Sequence, residues 1–195
     1  MPLPETILNQ FRAVNRSTTD ESEYYGPYTS LLTNLFPHVE YSQEVPQLRR
    51  PTTPDDTGFT ITFVVMKRKV PVFLIEIKPY VYLQSYGRRS NALNQMRERF
   101  RELNLGNLPI PKLYGVGAMG TRLSIYEYTK ATNVLLPPGT TPDPNVINDD
   151  APQELWKYDL LEVAGEEKLR ALVEEIKAVV HSNIVSVPFD DLSSR

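Results

Sequence analysis

The sequence predicts an α/β domain, a mixed sheet of about five strands flanked by helices, with extra helices at both ends. Three observations predict it. Residues 70–78 form a run that is almost continuously apolar and β-branched, the pattern of a central strand buried on both faces. The segment before it alternates Phe59, Ile61 and Phe63 with Thr60 and Thr62, the period of a half-buried strand. Stretches with apolar residues at helical spacing stand before and after these two strands. A hairpin followed by a helical crossover gives a mixed sheet with helices on its faces.

Each element follows from its own pattern. Residues 3–14 place Leu3, Ile7, Leu8, Phe11 and Val14 at helical spacing, with Glu5 in the first turn. Residues 15–19 are a polar connection. Asp20 or Ser22 caps a second helix that runs to about Phe36 and buries Tyr24, Tyr28, Leu31, Leu32 and Leu35. Gly26-Pro27 inside this pattern moves its firm start to about Gly26, because proline belongs in a first turn. A short strand is expected over 39–45, then a turn-rich stretch over 46–56, then a strand over 58–66. Lys67-Arg68-Lys69 is a charged connection of hairpin length. Pro71 stands at the start of the central strand, where it is tolerated, and Pro79 ends it.

Residues 90–103 read as a helix with Leu93, Met96, Phe100 and Leu103 on one stripe, and Gly106 as its stop. Two strands follow, over 112–116 and 122–128. The proline-rich stretch 129–152 reads as a long ordered loop. A last helix over 165–182 turns Leu169, Leu172, Val173, Ile176 and Val180 inward. Residues 1–187 are expected to form one domain with its core at about 20–128, and 188–195 a mobile tail.

Composition sets limits. A chain of 195 residues with 41% hydrophobic and 23% charged content suits one domain with a real core. The absence of cysteine excludes disulfides, thiolate zinc sites and a cysteine nucleophile. No stretch reaches the roughly 20 apolar residues that span a bilayer. The opening Met1-Pro2-Leu3-Pro4-Glu5 has neither a basic nor an apolar signal region. The expectation is an intracellular protein, cytoplasmic or nuclear, with no membrane partner.

The net charge of −3 hides an asymmetry. Residues 47–101 carry eleven basic and four acidic side chains, a local +7, and the remainder carries −10. A polyanion responds to the local field. The acidic remainder leaves room for a protein partner or a second subunit, as in a homodimer.

Chemistry concentrates in a few positions. Glu76 and Lys78 interrupt the hydrocarbon of the central strand and, two residues apart, leave the same face. Burying such charges costs several kcal/mol, on the order given for unpaired groups, unless they are paired or bind a metal. Pro54-Asp55-Asp56 lies about 20 residues upstream at the entry of the preceding strand. In a hairpin, the start of one strand lies beside the end of the other, so Asp55 or Asp56 comes next to Glu76. Oxygen ligands of this kind suit Mg2+ or Mn2+.

Pro54-Asp55, a spacer and Glu76-Ile77-Lys78 together resemble the PD-(D/E)XK motif of restriction-endonuclease-like nucleases. The order of elements is similar to that family's αβββαβ core over about 20–118. Residues 111–117 and the stretch from Ala151-Pro152 to Trp156 are also similar to fungal proteins with such a domain and no assigned activity.

The resemblance implies a metal-dependent nuclease that hydrolyses phosphodiester bonds, in DNA rather than RNA. Asp55 and Glu76 hold Mg2+ or Mn2+, the Ile77 carbonyl is a further ligand, and Lys78 positions the attacking water. Glu23 or Glu21 supplies the acid of the first core helix, and Gln95 the polar residue of the helix after the lysine strand. Lys67, Arg68, Lys69, Arg88, Arg89 and Arg97 hold the phosphate backbone of the nucleic acid. The alternative is a catalytically inactive nuclease-fold module that binds nucleic acid or a protein.

Other features are set aside. His38 and His181 have no spacing that suggests a metal site. Tyr24, Tyr25 and Trp156 read as core. Gly115, Gly117 and Gly120 join two strands rather than opening a helix, which excludes a phosphate-cradling loop.

Overall fold

The computed structural model describes residues 2–44, 61–103, 105–138 and 151–185. The turn-rich stretch with Asp55 and Asp56 and the tail at 188–195 lie outside the described residues.

Helix α1, Glu5–Ala13, buries Ile7, Leu8 and Phe11, as their spacing requires. A 3-10 turn, Glu21–Tyr24, leads into α2, Tyr25–Leu35. Asp20 caps that turn by accepting from the Ser22 amide at 2.9 Å. Pro27 stands in the first turn of α2, where its missing N–H costs nothing. Strands β1, Ser42–Glu44, β2, Ile61–Lys67, and β3, Val70–Lys78, form an antiparallel meander. Arg68 and Lys69 take φ of 48° and 64°, the left-handed backbone of a two-residue hairpin turn.

Helix α3, Tyr86–Glu102, begins four residues before the expected start at Ser90. The Ser85 hydroxyl accepts from the Arg88 amide at 3.5 Å and caps it there. Strands β4, Lys112–Met119, and β5, Arg122–Thr129, complete the expected set. The stretch read as a loop also holds a short strand, β6, Val134–Leu136, paired with β5. Beyond it come β7, Tyr158–Asp159, and α4, Val163–Val180.

Among the described residues, seven strands make one mixed, open sheet in the order β1-β2-β3-β4-β5-β6, with β7 also on β5. Only the β3–β4 pair is parallel, and α3 makes the crossover between them. The two extra strands are three and two residues long, too short for alternation to reveal.

Helices lie on both faces. Phe36 from the end of α2 stacks on Phe73 at 5.4 Å, and Tyr114 donates to Glu175 of α4 at 2.5 Å. These contacts put α2 and α4 over the face that carries the odd-numbered residues of β3. Phe100 of α3 lies against Gly115 and Leu74 on the other face. A Cβ at Gly115 would stand 3.0 Å from the Phe100 ring, so glycine sets how closely α3 approaches. That second face is the one that bears Glu76 and Lys78.

Candidate functional site

β3 delivers Glu76 and Lys78 to its carboxyl end, and both are buried, at 2% and 5% exposure. Their shared face follows from the strand period. The register puts Thr62 of β2 on one side of Glu76 and Gly117 of β4 on the other. Gly117 has no side chain to compete for the space above Glu76.

A second acid joins them from the amino-terminal part of the chain. Glu21 is 5% exposed, and its Oε1 lies 3.3 Å from Lys78 Nζ. Glu23 does not share this place. It is exposed and accepts from the Thr18 hydroxyl at 2.8 Å. The reason is local geometry: in a 3-10 turn residues i and i+3 share a face, so Glu21 goes inward with Tyr24 and Glu23 turns out. The acid at this position is therefore Glu21, and the expectation of Glu23 is corrected.

Helix α3 covers the cluster. Ala92, Gln95 and Arg99 fall on one stripe by their three- and four-residue spacing. Arg99 Nε stands 3.8 Å from Glu76 Oε2, and Ala92 borders the same space. Gln95 is half-buried between them. Two buried carboxylates thus face two cations, Glu21 with Lys78 and Glu76 with Arg99. Arg99 went unremarked in the sequence, although it lies one turn beyond Gln95 on the same stripe.

Trp156 closes the site from a 3-10 turn, Gln153–Trp156, late in the chain. It is 1% exposed. With Glu76, Lys78, Ala92 and Gly117 it lines a small cavity of about 10 Å³. Burial pushes the nearby Tyr126 hydroxyl well above the ordinary phenol value, and the Glu76 charge pushes the same way. Tyr126 is therefore a neutral phenol at physiological pH.

The predicted first ligand, Asp55 or Asp56, lies outside the described residues. Ile61, the first described residue after them, is the register partner of Ile77. Ile77 is in register with Ile61 on one side and Ala118 on the other, which holds its carbonyl in the hydrogen-bonding plane of the sheet. Among the described residues, no group of three or more acids or histidines gathers as a metal site. Glu76 and Glu21 are hard oxygen donors of the kind that magnesium and manganese take.

The basic residues expected to hold a nucleic acid do not form one surface. Lys67, Arg68 and Lys69 lie at the start of β3, about 26 Å from Lys78 at roughly 3.3 Å per residue. Lys67 pairs with Glu40 at 3.2 Å and lies over the Tyr41 ring. Arg68 donates to the Ile184 carbonyl at 2.8 Å, and Lys69 is exposed. Arg89 is buried and donates to the carbonyls of Ala151 at 2.6 Å and Leu83 at 2.9 Å. It is a structural clamp rather than a surface cation, which corrects its expected role. Arg88 lies over the Tyr82 ring at 4.6 Å, and Arg97 donates to the Pro137 carbonyl at 2.8 Å.

Comparison with protein-family models, with curated proteins and with solved structures finds no match to this chain. Among the described residues, no helix is long and apolar enough to cross a membrane.

Proposed function

We propose that this chain is a metal-dependent nuclease of the restriction-endonuclease-like kind that hydrolyses phosphodiester bonds, in DNA rather than RNA. The observation that carries the reading is the convergence of Glu21, Glu76 and Lys78. They come from stretches 55 residues apart in sequence and meet in the core, with 3.3 Å between Glu21 and Lys78. Burying such a cluster is costly, and charged side chains are rarely fully buried without a partner or a role. The order α2-β1-β2-β3-α3-β4 supports the αβββαβ core implied by the sequence resemblance.

On this reading Glu76 and an aspartate of the preceding segment hold Mg2+ or Mn2+, which offsets phosphate charge and acidifies water. Lys78 donates hydrogen bonds to water and to a phosphate oxygen. Glu21 fixes the direction of the Lys78 ammonium. Arg99 balances Glu76 and, one turn of α3 beyond Gln95, supplies positive charge beside the scissile phosphate. The partner is a nucleic acid.

One observation favours a second reading, an inactive nuclease-fold module that binds nucleic acid or a protein. Each described acid of the cluster faces a cation, and the cavity between them is small, about 10 Å³. Calorimetric titration with Mn2+ and Mg2+ separates the two. The nuclease reading expects one-site binding that Glu76→Gln abolishes. No specific binding of either ion by the well-folded parent selects the inactive module.

A further inference from the structure

The chain has one tryptophan, and it lies at the candidate site. Its indole nitrogen is buried and finds no hydrogen-bond partner among the described residues. A buried donor of this kind is rarely left unsatisfied. Its direction is also informative. Nε1 is the indole atom nearest the Cβ position of Gly117, at 3.9 Å. Gly117 is the register partner of Glu76, and partners in a parallel pair present their side chains on the same face. The indole N–H thus points to the face that Glu76 and Lys78 occupy.

The space there has room for about 10 Å³, close to one water-sized sphere. Glu76, Lys78 and Trp156 are among the residues that line it. A buried water needs two to four polar partners, on the order seen in folded proteins, and these three groups supply them. An apolar occupant would leave the buried indole N–H unsatisfied.

We propose that Trp156 donates its indole proton to a single structural water held in this cavity. The water accepts from Trp156 Nε1 and Lys78 Nζ and donates to the Glu76 carboxylate. Trp156 is then a positioning residue for the water beside Lys78, not merely a core filler. The water site stands whether or not the protein cuts nucleic acid, and only the positioning role rests on the nuclease reading.

Nitrogen-15 labelled full-length protein tests it, because a single tryptophan gives a single indole N–H resonance. The expected result is a water cross-peak to that proton, with the sign of a long-lived bound water. Tyr126→Phe removes the neighbouring hydroxyl, whose exchange imitates such a signal, and the cross-peak is expected to survive. Glu76→Gln is expected to move the indole resonance. Absence of the water cross-peak in the parent, or its loss in Tyr126→Phe, overturns the inference. A water cross-peak in a protein that cleaves no nucleic acid keeps the water site and removes the nuclease reading. Cleavage without the cross-peak does the reverse.

Discussion

Lys78→Met preserves side-chain length and removes the charge that faces Glu21. Both groups are about nineteen-twentieths buried, and they stand 3.3 Å apart. At an effective dielectric of about 20, that separation corresponds to an attraction of about 5 kcal/mol. The attraction offsets the desolvation of two ions, so the net worth of the pair is small while the cost of breaking it is large. Removing one partner is expected to cost about 3–5 kcal/mol. In a chain of this size that is a fall in Tm of roughly 6–20 °C. Glu21→Gln alone is expected to lose a similar amount. The double variant Glu21→Gln/Lys78→Met buries neither charge and is expected to be no worse than either single one. The double-mutant cycle then gives a coupling of at least about 2 kcal/mol. Urea unfolding at neutral pH, followed by Trp156 fluorescence and by circular dichroism, measures all four proteins. Additive losses would refute the reasoning, since they mean that the two groups do not act as a pair.

Two further predictions concern the scaffold. A Cβ at Gly165 would stand 1.9 Å from the Asp159 carbonyl oxygen, so the first turn of α4 rests on the backbone of β7. Gly165→Ala is expected to cost more than about 3 kcal/mol, because backbone cannot yield as a side chain can; an unchanged thermal melt contradicts this. Glu127 is held below the ordinary glutamate value, chiefly by its hydrogen bond with Lys112 at 2.8 Å. Its lowered folded value means stability that is present above the ordinary glutamate value and lost as pH falls through the folded one. Both side chains are about a third exposed, so Lys112→Met is expected to cost less than about 1 kcal/mol at neutral pH and still less in acid. A gap between the two melting curves that widens in acid counts against it.

The sequence was most legible where burial left a pattern. β3 is covered on both faces, so its run is apolar throughout and its two charged residues stand out. Glu21 was also within reach, since it lies three residues before Tyr24 and seven before Tyr28, on the stripe that α2 buries. The ambiguity with Glu23 came from treating the entry as continuous α-helix rather than as a 3-10 turn. Arg89 carried a similar signal, four residues before Leu93 and seven before Met96 on the inward stripe. Its charge drew attention to the surface, while carbonyls from distant segments met it inside. The role of Trp156 depends on a late turn returning to the start of the site, and no local pattern encodes such a return. The charge count over 47–101 likewise summed residues that β3 holds at opposite ends of the sheet.

Cleavage of plasmid and linear DNA in Mg2+ by the parent and by Lys78→Ala tests the central claim most directly. The Lys78 variant should first be shown to be folded, given its expected loss of stability. Cutting by the parent that falls at least about a hundredfold in the variant is the expected result, in the range for loss of a group that acts at the reacting atoms. Equal cutting by both proteins, or none by a well-folded parent over a broad panel of DNA and RNA substrates, would contradict it.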